Sequence, residues 1–325
     1  MYHLYDRFRA TLWLLLAFGR AAWHFRLRAM RSLELPVGLA ITTQEMRRLK
    51  HYFYGTTYLS AVMCALRNEP RSALEKRLFT NLSALAYCFD DLVDSFCDGD
   101  DFGILWQGNP EVYGLVADPK GLALHLLHNI YKSLPKRQLE PFKAYMHRVF
   151  NVETTGRQRV GDSNLEMLDK ITAEKGGASV LLFRSILSSD IFPSEENALF
   201  QFGYLIQLSD DIFDLWHDRQ AGIQTSATYL SERGEIEHLT KKFEAQVSAT
   251  YQAFRQTPYP SRQIETALQM MHYLVSITRV CLRQYQDLKH KHGALPLDNR
   301  TVTVIDMEKW SNRFQAIRYL LRPLR

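Results

Sequence analysis

Between short clusters of Gly, Pro, Asp and Asn, this chain runs in stretches of roughly 15 to 30 residues whose apolar positions recur at helical rather than alternating spacing. The breaks fall at Glu34–Gly38, Asn68–Pro70, Gly99–Gly114, Asp118–Gly121, Ser133–Lys136, Pro258–Ser261 and His292–Asn299. Start signals agree with them. Thr42-x-x-Glu45 and Ser163-x-x-Glu166 read as capping boxes, Asp118-Pro119 as an N-cap followed by an N1 proline, and Ser194-Glu195-Glu196 as a cap with acids in the first turn. No series of short Val/Ile/Thr-rich alternating segments separated by two-residue turns is present. The pattern predicts an all-α fold of about ten helices in one domain over residues 32–325, preceded by a separate segment, 1–31.

That segment holds all of the net charge. It has six arginines against Asp6, which accounts for the overall +5 and leaves the rest of the chain with 34 bases and 34 acids. A neutral body lacks the basic stripe that nucleic-acid binding requires. The apolar stretch Leu12–Gly19 is too short for the ~20 residues that span a bilayer. With Trp13, Phe18, Trp23 and Phe25 it fits a helix packed on the domain, a peripheral membrane contact, or the short apolar core of a signal peptide. Four cysteines without CxxC spacing predict neither a disulfide framework nor structural zinc, and suit a reducing cytoplasm.

The chemistry concentrates in two aspartate clusters. Asp90-Asp91-Leu92-Val93-Asp94 closes the apolar stretch Leu82–Phe89, so Asp90 and Asp94 share a helix face at i, i+4. Asp210-Asp211-Ile212-Phe213-Asp214-Leu215-Trp216-His217-Asp218 repeats the arrangement, with Asp210, Asp214 and Asp218 at i, i+4, i+8 below Gly203 and Ile206. Like charges at that spacing destabilise a helix. A solvated acidic face would be polar throughout, whereas these carboxylates interrupt apolar stretches, as a pocket wall does. Carboxylate-only clusters suit hard cations such as Mg²⁺, which keeps its waters and is held jointly by one or two carboxylates and a phosphate. A phosphate or diphosphate substrate bridged between two helices follows. An EF-hand from Asp98 fails at Phe102 and Asn109, and a di-iron bundle fails because Glu235-x-x-His238 has no second copy.

Tyr87 to Asp94 and Gly203 to Asp218 resemble the two aspartate-rich motifs of class I isoprenoid synthases, over roughly residues 45–225. The resemblance implies an all-α bundle in which a Mg²⁺ cluster, held by Asp90, Asp91, Asp94, Asp210, Asp214 and Asp218, binds and abstracts diphosphate from a prenyl diphosphate. It favours a terpene cyclase, with Asp where that motif has Asn, Ser or Thr, and Glu. Gln207 to Gly222 is similar without gaps to squalene and phytoene synthases, making head-to-head coupling the alternative. Chain elongation comes third, since no Gly-Gly-Lys-Arg element precedes residue 90. A non-catalytic prenyl-lipid binding protein is the rival outside enzymes.

Further residues follow from the same resemblance. Lys175-Gly176-Gly177 lies inside a helical stretch, where each glycine costs about 1 kcal/mol relative to alanine. By resemblance the helix breaks there beside the reacting carbons and Lys175 meets the diphosphate; otherwise the glycines let two helices approach. Arg157, Arg159 and the Arg318-Tyr319 pair are diphosphate-binding candidates, and Phe89 and Phe213 cavity-lining ones, being next to the carboxylates.

Overall fold

The computed structural model describes residues 11–12, 14, 16–17, 19, 43–95, 119–157, 164–307 and 309–324; side chains are left out for 43–44, 90–95, 119–120 and 155–157. The described residues are all-α, with no strand among them. The helices are α1 (Thr43–Arg67), α2 (Ala73–Ser95), α3 (Pro119–Ser133), α4 (Lys136–Arg157), α5 (Leu165–Ser185), α6 (Pro193–Phe213), α7 (Leu215–Ala221), α8 (Ser226–Glu232), α9 (Ile236–Arg255), α10 (Ser261–His292), α11 (Arg300–Thr303) and α12 (Trp310–Leu320). No helix among them is long and apolar enough to cross a membrane. Of residues 1–31, the described ones are helical, with Leu14 buried and Leu12 and Leu16 exposed. Trp13, Phe18 and Trp23 lie outside the described residues.

Most breaks fall where turn chemistry puts them. Asn68 leaves α1 with φ of 56°, and Gly293 leaves α10 with φ of 77°, the left-handed conformation that ends helices. Two starts differ from expectation. Ser194 lies inside α6, which begins at Pro193 with Phe192 as N-cap; a proline preset for the first helical position outranks the serine cap. Asn164 caps α5, its Oδ1 accepting from the Met167 N–H at 2.9 Å; Ser163 lies outside the described residues, as do Thr42 and the 99–114 break.

The chain forms two compact units. The first comprises residues up to Thr154 together with Leu182–Asp190. Its core is built from Val62 and Leu66 of α1, Leu78, Leu82 and Leu85 of α2, Leu126 and Ile130 of α3, and Phe142 of α4. The start of α2 carries a reciprocal cap: the Ser72 N–H donates to Glu75 Oε2 at 2.6 Å, and the Glu75 N–H to Ser72 Oγ at 3.2 Å. The other Glu75 oxygen accepts from the Ser188 N–H at 2.8 Å. Burial alone would raise the Glu75 carboxyl, but these bonds from Ser188 and Ser72 outweigh it and hold its pKa below the ordinary value.

The second unit, Thr155–Leu181 with Ile191–Arg325, is centred on α6. Ala198, Leu199, Phe202, Leu205, Leu208 and Ile212 are buried on different sides of that helix, which packs on α9 and α10. Phe202 meets Phe254 of α9 edge-on at 6.1 Å. Gln246 of α9 donates to the Gln201 carbonyl at 3.0 Å. The Tyr285 hydroxyl of α10 donates to the Ile212 carbonyl at 3.1 Å.

Glu75→Gln should cost about 1–3 kcal/mol, because two buried N–H groups lose a charged acceptor. Since the folded pKa of Glu75 is depressed, its contribution is complete above pH 4.5 and disappears as pH falls through the folded value. Urea unfolding at pH 7 and pH 3 checks both points: the variant should be weaker at pH 7, and the gap should narrow in acid.

Candidate active site

The second aspartate cluster sits where α6 ends and α7 begins. Asp214 has φ −89° and ψ 9°, closing one helix and opening the next. The i→i+4 ladder nevertheless continues along the acidic face, since the Asp214 N–H donates to the Asp210 carbonyl and the Asp218 N–H to the Asp214 carbonyl, both at 2.8 Å. Asp210, Asp214 and Asp218 therefore stand one helical turn apart in a column, as the spacing predicts. The column ends at Gly222, whose φ of 71° releases the chain.

Asp211 is turned away from that column. It is 5% exposed, and both its oxygens are engaged: Oδ2 accepts from the Thr172 hydroxyl of α5 at 3.0 Å, and Oδ1 from Gln207 Nε2 at 2.9 Å. Its hydrogen bond from Thr172 fastens α6 to α5. Neither partner was singled out from the sequence. Gln207 stands at i−4 from Asp211, the spacing of a helical side-chain pair, and Thr172 precedes Lys175 by three residues on α5.

The charges are incompletely compensated. Desolvation raises Asp210 to about 6, the Asp214 charge adding to it and Lys175 and Gln207 opposing; its side chain reaches solvent, yet protein crowds around it. Asp211 is pushed up to about 6 by burial. Asp218 rises to about 7, through burial and then the repulsion of Asp211, Asp214 and Asp210. Lys175 is the cation whose field lowers all three.

Lys175 owes this position to the glycines beside it. A Cβ on Gly176 would lie 2.1 Å from the Gly203 carbonyl oxygen, and one on Gly203 would lie 2.2 Å from the Gly176 carbonyl oxygen. Here α5 and α6 touch backbone to backbone. A Cβ on Gly177 would strike the Phe200 ring at 2.2 Å. The helix break expected at these glycines is not present: α5 is continuous from Leu165 to Ser185, and the Lys175 carbonyl accepts from the Ser179 hydroxyl at 2.7 Å. Close approach, rather than a kink, explains the glycines. Further along α5, Asp169 takes the Ser226 hydroxyl and the Lys242 ammonium.

Several of the remaining candidates lie outside the described side chains. Asp90, Asp91 and Asp94 lie in the last helical turns of α2, with side chains outside the described set, like that of Arg157; Arg159 lies outside it altogether. Phe89 is buried and Phe213 half-buried. The Arg318–Tyr319 pair is held away from the column. The Tyr319 carbonyl is 3.2 Å from His272 Nε2, whereas Tyr285, which holds Ile212 between Asp210 and Asp214, lies thirteen residues further along α10, or about 20 Å. Arg318 is exposed.

No protein-family model and no curated protein matches this sequence. Among solved structures, a geranylgeranyl pyrophosphate synthetase from the archaeon Geoglobus acetivorans is similar, with a TM-score of 0.43 and 18% identity over 78% of this chain and 98% of that one.

Two outcomes follow from the geometry. Gly176→Ala and Gly203→Ala should each destabilise the protein by about 2 kcal/mol, overpacking outweighing the ~1 kcal/mol gained from alanine's helix propensity; equilibrium unfolding checks this. Because the folded aspartates bind protons more tightly than their ordinary pKa of 3.8, the native state holds more protons than the unfolded one between about pH 4 and pH 7, so stability falls as pH rises through that window. Asp218→Asn should flatten this slope in a series of thermal melts.

Proposed function

We propose that this chain is a Mg²⁺-dependent class I isoprenoid synthase that ionises an allylic prenyl diphosphate. The observation that carries the reading is the column of Asp210, Asp214 and Asp218 where a helix with a buried apolar face gives way to the next, within the field of Lys175. Among the described residues no three His, Cys, Asp or Glu side chains converge as a metal cage. Carboxylates about 6 Å apart along a helix suit an ion held by one or two of them and completed by water and phosphate oxygens, which is how Mg²⁺ is bound with phosphate substrates. The donor set fits: it is oxygen only, and its mutual repulsion is relieved by a cation. Asp90, Asp91 and Asp94 belong to this reading as the first motif's carboxylates.

Bound there, Mg²⁺ supplies Lewis-acid stabilisation of the departing diphosphate. The chain's own residues do the rest. Asp210, Asp214 and Asp218 provide the anionic column. Asp211, tied to Thr172 and Gln207, fixes the turn that presents it, and Lys175 adds a cation for the diphosphate oxygens. A terpene cyclase is the first choice of reaction. Head-to-head coupling is the second, on the ungapped similarity from Gln207 to Gly222. Residues 1–31 retain a proposed peripheral membrane contact suited to lipophilic substrates.

Incubation with geranyl, farnesyl or geranylgeranyl diphosphate should release inorganic diphosphate with Mg²⁺ and not with EDTA; absence of release from all three would refute the enzyme reading. Product identification separates cyclised or olefinic products from coupled ones, and added isopentenyl diphosphate exposes elongation. Asp214→Asn should lower kcat/KM by about 100-fold. Mg²⁺ and diphosphate together should raise the melting temperature of the wild type and leave the Asp210→Asn/Asp214→Asn variant unmoved.

A further inference from the structure

The last helix carries a surface that the candidate site does not use. On α12, Trp310 is 70% exposed, Phe314 62% and Ile317 50%, and Leu321, just beyond the helix, 60%. At about 100° per residue these four fall within roughly a 60° arc, forming one continuous apolar stripe about 16 Å long. Of the other large exposed apolar residues, Leu12 and Leu16 form a pair, while Leu74, Phe192 and Ile223 stand singly, which is ordinary for a protein surface. Four in register on one helix are not.

The opposite face of α12 is committed to α10. Asn312 is buried, donates to the Asp306 carbonyl at 2.7 Å and accepts from Gln284; the Tyr319 carbonyl meets His272. The stripe is thus held outward by a docked helix. The charge along it has one sign: from the N-cap onward, residues 309–325 contain Lys309, Arg313, Arg318, Arg322 and Arg325 and no acid, Asp306 and Glu308 standing before the helix. By the same rotation, Arg313 and Arg318 flank the stripe on its two sides. The Arg313 guanidinium lies 5.4 Å from the Trp310 ring centre, and that of Arg322 4.8 Å from the ring of Tyr319.

We infer that α12 is an in-plane membrane-binding helix that docks the protein on an anionic lipid surface. An apolar stripe bordered by arginines is the arrangement that sinks a helix to the headgroup boundary while its cations reach lipid phosphates. Tryptophan suits that boundary, with an apolar ring and a polar N–H. Eleven residues cannot cross a bilayer, so the contact is peripheral. A second copy of the chain is a poorer occupant, since two such faces would set like charges against each other at every arginine.

The test is co-sedimentation of the full chain with phosphatidylcholine vesicles, with and without about 30 mol % phosphatidylglycerol. Binding should require the anionic lipid and weaken with salt. Phe314→Asn/Ile317→Asn should lower partitioning by about tenfold or more, and Arg313→Gln/Arg322→Gln should lower it on the anionic vesicles. Thermal melts should show both variants folded, their changed side chains being outward. Hydrogen exchange in residues 310–321 should slow when vesicles are added. Wild-type protein that stays in the supernatant would overturn the proposal. So would variants that bind like wild type, which would place attachment elsewhere, including residues 1–31. A wild-type dimer in light scattering that the Phe314→Asn/Ile317→Asn change splits, without lipid binding, would assign the stripe to a second copy.

Discussion

Where Gly176 meets Gly203, two helices come together with no side chain between them, and the geometry of the candidate site hangs on that contact. Hydrogen bonds reach only about 3 Å, so Thr172 can hold Asp211 only if α5 lies this close to α6. The same approach brings the Lys175 charge to bear on the aspartates of α6 and α7. Two glycines in helix interiors sacrifice local propensity, and what they gain is proximity between one helix that carries a cation and another that carries acids.

The acids themselves work against folding. Four carboxylates within nine residues, where one helix with a buried face passes into the next, strain the unit that contains them. Asp211 is held by two hydrogen bonds yet still repels Asp218, while Asp210 has only Gln207 and the field of Lys175 to oppose its burial. Proteins place such unfavourable arrangements at functional sites because a ligand then recovers what the fold gave up. On the proposed reading, the repulsion along the column is what a cation with its anionic substrate would relieve.

Helix periodicity and turn residues made the all-α fold and the ends at Asn68, Ser133 and Gly293 legible, because those signals are local. The Asp210, Asp214 and Asp218 column was legible for the same reason: its register is set by local i→i+4 bonds, which continue across the break at Asp214. What escaped the sequence depends on partners distant in the chain. Asp211 is bonded to Thr172, 39 residues away, and although close helix approach was one of the two readings of Gly176, its partner Gly203 was not legible. Ser194 looked like a cap until Pro193 claimed the first helical position. Arg318–Tyr319 matched a two-residue pattern, but the packing of α12 on α10 decides where it goes, and nothing within the pair encodes that.

The bend at Asp214 divides the column between two segments of unequal length. Asp210 belongs to a 21-residue helix pinned at its end by Tyr285, whereas Asp218 belongs to a seven-residue helix that terminates at Gly222 and is anchored by buried Leu215 and by Arg219 with Glu232 and Asp298. The ladder bonds across the bend are intact. A ligand touching only Asp210 and Asp214 would engage the long helix and the bend. One that also reached Asp218 would clasp both helices, so the angle between them would set how many carboxylates it meets at once.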